Sequence, residues 1–427
     1  MKINIKNKSY EEVMALPKEK HRMPMKQLWI FRWLLKTISC FDLWATKFKC
    51  NRIDMEYIND ETPCLVLMNH SSFIDLEIVS TVLYPKRFNV VCTSDAFTGI
   101  MNWVMPLIGC IPTKKFITDM GLVRDMLYTV KDLKSSVVLF PEASYSFDGT
   151  ATPLPDSIGR CIKMLGVPVV MVKTYGAFSR DPLYNGLRRR KVNVSADVKY
   201  LITLDDVLVK TADELAEIVN KEFEFDNFRW QQENDIRIKE KFRAEGLNRV
   251  LYKCPHCQTE GSMTTKDTVI KCEHCNKEYE LTEYGFLQAK EGETEYDHVP
   301  DWYKWERECV RKEIEDGTYG LEVPVDICMM VNSKQVYRVG EGVLKHNNEG
   351  FHLTGCDGKL EYTQKPSFSY SLYADYYWYE TGDVICIGDL NTLYYCFPKN
   401  CGDIVAKTRL ATEEMYKISK KNRKRKY

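Results

Sequence analysis

A histidine and an aspartate five residues apart, His70 and Asp75, follow the apolar run Cys64 to Met68 in the stretch Val66-Leu67-Met68-Asn69-His70-Ser71-Ser72-Phe73-Ile74-Asp75. An imidazole can take up a proton near neutral pH when a second group fixes its tautomer and balances the charge it gains, and Asp75 can be that group. The same residues also read as a helix start, because Ser72-Phe73-Ile74-Asp75 is a capping box in which Asp75 bonds only the backbone. The segment by itself leaves both readings open. A second constellation is less ambiguous. Cys254-Pro255-His256-Cys257, fourteen residues, then Cys272-Glu273-His274-Cys275 gives two C-x-x-C knuckles. Four thiolates from Cys254, Cys257, Cys272 and Cys275 close a tetrahedral site and leave no position for water, which points to a structural zinc ribbon. A thioredoxin-type redox motif would occur once, beside a βαβ unit.

The elements that must hold His70 follow from the hydrophobic pattern. Cys64 to Met68, after Pro63, is long enough for a buried strand, and Phe73 to Leu83 has helical spacing. His70 therefore falls in a strand-to-helix turn, at the carboxyl edge of a sheet. Arg52 to Ile58 and Phe88 to Cys92 read as further strands, and Ala96 to Ile108 and Thr118 to Leu133 as helices. Between those helices, Gly109-Cys110-Ile111-Pro112-Thr113-Lys114-Lys115 is a turn with paired cations. Val137 to Glu142 is a strand stopped by Pro141, Ile158 to Leu165 a helix, Val167 to Val172 another apolar run, and Ala212 to Phe223 a helix after the alternating segment Val192 to Thr203. The alternation predicts an α/β fold, a central sheet flanked by helices. Beyond the ribbon, Trp302 to Glu315 reads as a helical linker. Seven short alternating segments then run from Val325 to Phe397, and a helix spans Asp403 to Ile418. About seven antiparallel strands with one helix resemble, as a pattern, a pleckstrin-homology-like barrel.

The chain has 427 residues, too many for one ordinary core. Its 60 basic and 60 acidic residues cancel, so the distribution of charge matters rather than the total. Met1 to Lys20 is polar and lacks the apolar core of a signal peptide, which places the chain in the cytosol. Sixteen cysteines need a reducing compartment, four in the ribbon and twelve read as buried thiols. Leu28 to Phe48 is apolar, but Arg32, Lys36, Ser39, Asp42 and Thr46 form one polar stripe along it. That composition suits a helix lying in a membrane interface, with core packing as the alternative. The tail Lys417 to Tyr427 carries seven cations, a pattern that attracts an anionic leaflet. Without aromatic interleaving or a recognisable nucleic-acid motif, it argues against nucleic acid.

Taken together, Asn69-His70-x4-Asp75, the Gly109 to Lys115 turn, Phe140-Pro141-Glu142 and Gly166-Val167-Pro168-Val169 resemble, in order and spacing, the four blocks of the glycerolipid acyltransferase family, that of the 1-acylglycerol-3-phosphate acyltransferases. The resemblance covers about residues 26 to 230. It implies an O-acyltransferase in which His70 takes the acceptor proton, Asp75 orients the imidazole, and no metal takes part in acyl transfer. The acyl donor would be acyl-CoA or acyl carrier protein. The acceptor would be a hydroxyl of a lysophosphatidate-like (lyso)glycerolipid, met by Lys115 with Lys114 beside it and by Glu142, Ser144 and Tyr145. The third block departs from the family's Phe-Pro-Glu-Gly-Thr-Arg-Ser, reading Phe140-Pro141-Glu142-Ala143-Ser144-Tyr145-Ser146, so its glycine and arginine are missing. The expected organisation is an acyltransferase domain over 1–247 with its interfacial helix at about 26–48, the ribbon over 248–290, a helical linker over 291–322 and a β-rich domain over 323–427. The expected setting is cytoplasmic, peripheral on the inner face of a membrane. The competing expectation is a catalytically inactive membrane adaptor that binds protein or lipid through the ribbon and the C-terminal domain.

Overall fold

The computed structural model describes residues 3–424. The chain opens with strand β1 (Ile5–Asn7), helix α1 (Tyr10–Met14) and helix α2 (Trp29–Ala45). An α/β layer follows: β2 (Lys49–Ile53), β3 (Leu65–Met68), α3 (Asp75–Val82), β4 (Phe88–Thr93), α4 (Met101–Leu107), β5 (Cys110–Thr113), α5 (Met120–Lys131), β6 (Ser136–Leu139), α6 (Ile158–Leu165), β7 (Val169–Tyr175), α7 (Ala177–Arg180), β8 (Ser195–Ile202), α8 (Leu204–Val209), α9 (Ala212–Phe223) and α10 (Asn227–Glu233). Its sheet runs β2-β8-β7-β3-β6-β4-β5, parallel except where β8 lies antiparallel to β7.

β3 sits at the centre and all four of its residues are buried, which is why it reads as an unbroken apolar run. Its side chains alternate between two cores. Val66 and Met68 join Leu43 and Ile78 on one face, while Leu65 and Leu67 join Met126, Ile158 and Ile162 on the other. Helices therefore cover both faces, as the alternation predicted. Among the boundaries that differ, three have plain local reasons. The strand expected to reach Ile58 stops at Ile53, because Asp54 turns left-handed at φ +56°. The helix expected over Ala96 to Ile108 is broken by Gly99 at φ +63°. The one expected from Thr118 starts at Met120, where the Asp119 carboxylate caps the Gly121 N–H.

The ribbon has four antiparallel strands, β9 (Met263–Lys266), β10 (Val269–Cys272), β11 (Glu278–Leu281) and β12 (Leu287–Ala289), in the order β12-β11-β10-β9. Helix α11 (Val299–Glu315) leads to seven antiparallel strands: β13 (Gly320–Met330), β14 (Val336–Asn347), β15 (Gly350–Gly355), β16 (Leu360–Gln364), β17 (Tyr373–Trp378), β18 (Gly382–Gly388) and β19 (Leu393–Pro398). They pair in the order β16-β15-β14-β13-β19-β18-β17, and helix α12 (Val405–Lys424) closes the described chain. The polar N-terminus gave no sign that β1 would add to this distant sheet, yet it pairs parallel to β14, with Ile5 opposite Val336.

The regions share one apolar core. Phe147 and Phe178 of the α/β layer, Met263 and Ile270 of the ribbon, Trp302 of α11, Val325 and Tyr376 of the second sheet and Leu410 of α12 belong to a single buried cluster. Ionic contacts tie the same seam, for Glu413 of α12 accepts from Arg409 and Ser371 and pairs with Arg307 of α11. Of the basic tail, Lys417 bonds Glu414 and Lys420 pairs with Asp156. Arg425 and Lys426 lie outside the described residues.

α2 is amphipathic, and its polar stripe faces the protein. Asp42 binds Arg180 at 2.6 Å, Arg32 reaches the Pro85 carbonyl, Lys36 lies over the Tyr84 ring, and Ser39 is buried. The apolar side is turned outward, with Trp29 71%, Phe41 76% and Trp44 83% exposed, and Trp33 and Ile38 beside them. No helix among the described residues is long and apolar enough to cross a membrane.

Candidate active site

The His70 turn begins where β3 ends. Asn69 ties it to the neighbouring strand β7: its Oδ1 accepts from the Thr174 N–H at 2.8 Å and hydroxyl at 3.1 Å, and its Nδ2 donates to the Thr174 carbonyl at 3.3 Å. With the backbone so fixed, the imidazole Nδ1 lies 3.1 Å from Asp75 Oδ2. That same oxygen accepts the Ser71 N–H at 2.8 Å and the Ser72 N–H at 3.1 Å. The capping box expected at Ser72 does not form, because the helix starts at Asp75 with no side-chain cap, and the carboxylate instead braces the turn backbone and orients the imidazole together. A carboxylate oxygen that already collects backbone donors is an acceptor, so the ring proton sits on Nδ1 and Nε2 keeps its lone pair.

The His70 ring packs between Phe140 and Tyr145, with centroids 4.4 and 4.3 Å away, and its side chain is 21% exposed. Burial holds its pKa below the usual histidine value, against the opposing effect of Asp75 and with a smaller contribution from the Lys115 charge. The imidazole is neutral at physiological pH and able to accept a proton.

Glu142 lies beneath the turn. It is buried, and its Oε2 accepts the His70 N–H at 2.7 Å while Oε1 accepts the Thr152 N–H at 2.7 Å and hydroxyl at 3.2 Å. Burial pushes its carboxyl up to about 7 despite these donors. Expected from the block resemblance to meet the acceptor, Glu142 is engaged with the protein's own backbone. Ser144 is buried, and its hydroxyl has no hydrogen-bond partner among the described residues. Tyr145 faces His70, and burial, with the charges of Asp75 and Asp375, raises its phenol well above the ordinary value, so it stays protonated.

The paired cations are met by the C-terminal sheet. Lys114 Nζ donates to the Leu390 carbonyl, and Lys115 Nζ sits 4.3 Å from the centroid of the Tyr373 ring. The Tyr373 hydroxyl continues to Asp95 Oδ2 at 2.5 Å, where Trp378 and Tyr395 also donate, and Tyr379 donates to Oδ1 of the same carboxylate. Asp95 and the aromatic run Tyr370 to Tyr379 were absent from the sequence-derived site. The run's density of tyrosines marked a strand, and nothing in its spacing marked what it covers.

The four ribbon sulfurs converge. Cys254 and Cys275 Sγ are 3.7 Å apart, as are Cys257 and Cys272 Sγ, and all four lie within 4.8 Å of one another. A tetrahedron of ~2.3 Å metal–sulfur bonds requires sulfurs ~3.8 Å apart, so the donor set fits one metal ion. His256 instead bonds Glu295 at 2.9 Å.

Residues 49–174 match the family model described as Acyltransferase. A 1-acyl-sn-glycerol-3-phosphate acyltransferase of Brassica napus, chloroplastic, is 27% identical over 120 residues, 28% of this chain and 34% of its own length. The chain thus spans about a third of that curated relative. The crystal structure of the 1-acyl-sn-glycerophosphate acyltransferase of Thermotoga maritima aligns at TM-score 0.37 and 15% identity, over 45% of this chain and 76% of that one. The matched segment contains His70, Asp75, Lys115, Glu142 and the fourth block, and over residues 49–174 the chain carries an acyltransferase-type domain.

Proposed function

We propose that this chain is a peripheral membrane O-acyltransferase that moves a fatty acyl group from acyl-CoA or acyl carrier protein to a free hydroxyl of a (lyso)glycerolipid. The observation that carries this is the His70 geometry, an imidazole neutral at physiological pH, its Nδ1 held by Asp75 and its Nε2 unprotonated. Nε2 takes the proton of the acceptor hydroxyl as its oxygen attacks the thioester carbonyl. Asp75 balances the imidazolium that forms, and the C–S bond then breaks. The imidazolium returns the proton to the departing thiolate, leaving an ester and a free thiol. The lysophosphatidate-like acceptor expected from the family is the reference against which other acceptors are compared.

The outward Trp29, Trp33, Phe41 and Trp44 on α2 support a membrane-interface role, since its charged residues are turned to the protein and leave only apolar surface for lipid. The basic tail suits the anionic, cytoplasmic leaflet. Cys254, Cys257, Cys272 and Cys275 would hold zinc as a structural ion. The division at 247, 290 and 322 is one of roles, with a pleckstrin-homology-like C-terminal domain as its last part. Because the core is shared, these parts are expected to unfold together.

The test is thioester consumption on vesicles by the full chain, wild type against His70→Ala, with acyl-CoA and acyl carrier protein as donors and lysophosphatidate, glycerol 3-phosphate and neutral lysolipids as acceptors. His70-dependent turnover establishes the enzyme. Its absence with every pair leaves the adaptor reading, which the missing third-block arginine favours. Vesicle sedimentation of Trp33→Ser/Trp44→Ser tests the helix, and undiminished binding removes its role.

A further inference from the structure

The strand that covers the cation turn also carries a carboxylate. β17 is the last strand of its sheet, and its side chains alternate. Ala374 and Tyr376 point into the shared core. Tyr373 faces the other way, onto Lys115. Asp375, two residues on and before the bulge that interrupts the pairing, shares that face. The placement is fixed on both sides: Ser369 Oγ donates to the Phe116 carbonyl at 2.9 Å, and the Tyr370 hydroxyl to the Pro141 carbonyl at 3.4 Å. The cation block and the third block are therefore both held against the segment that delivers Asp375. Asp375 is partly exposed, and its carboxyl is pushed up to about 7 by burial, with Lys115 as the opposing charge.

We propose that Asp375 is a specificity-determining residue of the acceptor site, whose carboxylate offsets Lys115 and selects a neutral, hydroxyl-bearing headgroup over a phosphomonoester. This rests on the acyl-transfer reading and refines its acceptor. A phosphomonoester brings about −1.5 to −2 charges and needs cations to meet them. Here Lys114 is held by the Leu390 carbonyl, the family's arginine is replaced by Tyr145, and Lys115 shares its surroundings with a carboxylate. A polyol asks for the reverse, acceptors for its hydroxyl protons and phenols for its oxygens, which Asp375 and Tyr145 supply.

The experiment compares kcat/KM for lysophosphatidate and for 1-monoacylglycerol, with acyl-CoA and the full chain, in wild type and Asp375→Asn, which keeps the shape and removes the charge. Wild type is expected to favour the neutral acceptor by about tenfold. Asp375→Asn should raise kcat/KM for lysophosphatidate by about fivefold or more through KM, and lower that for monoacylglycerol. A wild type that prefers lysophosphatidate, or a ratio unmoved by the substitution, overturns the proposal. If no acceptor gives His70-dependent turnover, the acyl-transfer reading falls. Calorimetric titration with glycerol 3-phosphate then decides the charge assignment: tighter binding to Asp375→Asn supports it, and equal binding overturns it.

Discussion

Two turns at the carboxyl edge of one sheet hold the residues proposed for the chemistry, and they are built in opposite ways. The His70 turn is supported from nearby layers of its own fold: Asp75 five residues on, Glu142 from the turn after the strand beside it, Asn69 to Thr174 across the other neighbour. The Lys114–Lys115 turn is supported from more than 250 residues away, by Leu390, Tyr373 and the Phe116 contact of Ser369. A general base must hold one geometry through the reaction, and short rigid elements give it that. A headgroup site has only to discriminate, and an appended domain can retune it without disturbing the base. The difference implies that lesions in the first turn cost turnover, while lesions in the second change selectivity and pH response.

The largest effect is expected from Asp75→Asn. The Ser71 and Ser72 N–H groups and His70 Nδ1 all meet Oδ2, so an asparagine oxygen there keeps the three contacts, while the negative charge is lost and the NH2 takes the buried, unpartnered Oδ1 position. The imidazolium that forms as His70 takes the proton then has no carboxylate to balance it, and a buried NH2 is left without an acceptor. Steady-state turnover should fall by about 10²–10⁴ with the helix intact by circular dichroism. A loss below tenfold would leave Asp75 with only its role of bracing the turn backbone.

Glu142→Gln comes next. Three donors converge on its two oxygens, and glutamine offers only one, so one backbone N–H meets an NH2 group. A buried donor left unmet costs ~1–3 kcal/mol, and with His70 shifted, kcat should drop by about 10–100-fold while KM changes little. The pH dependence of stability checks the same residue. The folded pKa of Glu142, about 7, is above the ordinary 4.5, so it contributes stability fully below 4.5 that is lost as pH rises through 7. Unfolding curves of Glu142→Gln should lack that contribution. An unchanged pH profile would show that Glu142 is ionised at little cost.

The contrast between the turns also explains what the sequence disclosed. His70, Asp75 and the strand feeding them lie within one strand–turn–helix unit, and local hydrophobic period locates such a unit. The ribbon is as legible, since its cysteines come in two local pairs whose spacing has few other uses. Asp95 is different. Its partners are Tyr373, Trp378, Tyr379 and Tyr395, and no local pattern connects an aspartate after β4 to aromatics at the far end of the chain. The helix α2 shows a third case. Its polar stripe was visible, but whether that stripe would face water or protein depended on Arg180, 138 residues later.

Lys115→Met tests the second turn. Its charge lowers the pKa of His70, so its removal should raise that pKa and move the acid limb of kcat/KM to higher pH. At the plateau, turnover should change by less than about threefold. A limb that moves the other way, or a plateau loss as large as that of Asp75→Asn, would place Lys115 in the chemistry itself.

The smallest effect is expected at Ala143, where the family's third block has glycine. Its φ of +56° is left-handed, a conformation that costs a Cβ-bearing residue ~1–2 kcal/mol. Glycine would relieve that strain but lose ~0.5–1 kcal/mol to its greater freedom in the unfolded chain. It would also remove a methyl packed against the cluster of Phe116, Tyr373 and Trp378, worth ~0.8 kcal/mol if fully buried. The terms nearly cancel, so Ala143→Gly should move the unfolding free energy by less than ~1 kcal/mol. A clear gain would mean that strain dominates and that the alanine is kept for another reason. A loss of ~2 kcal/mol or more would mean that the methyl is a seat for the C-terminal sheet, extending the second turn's dependence on distant residues into the block beneath His70.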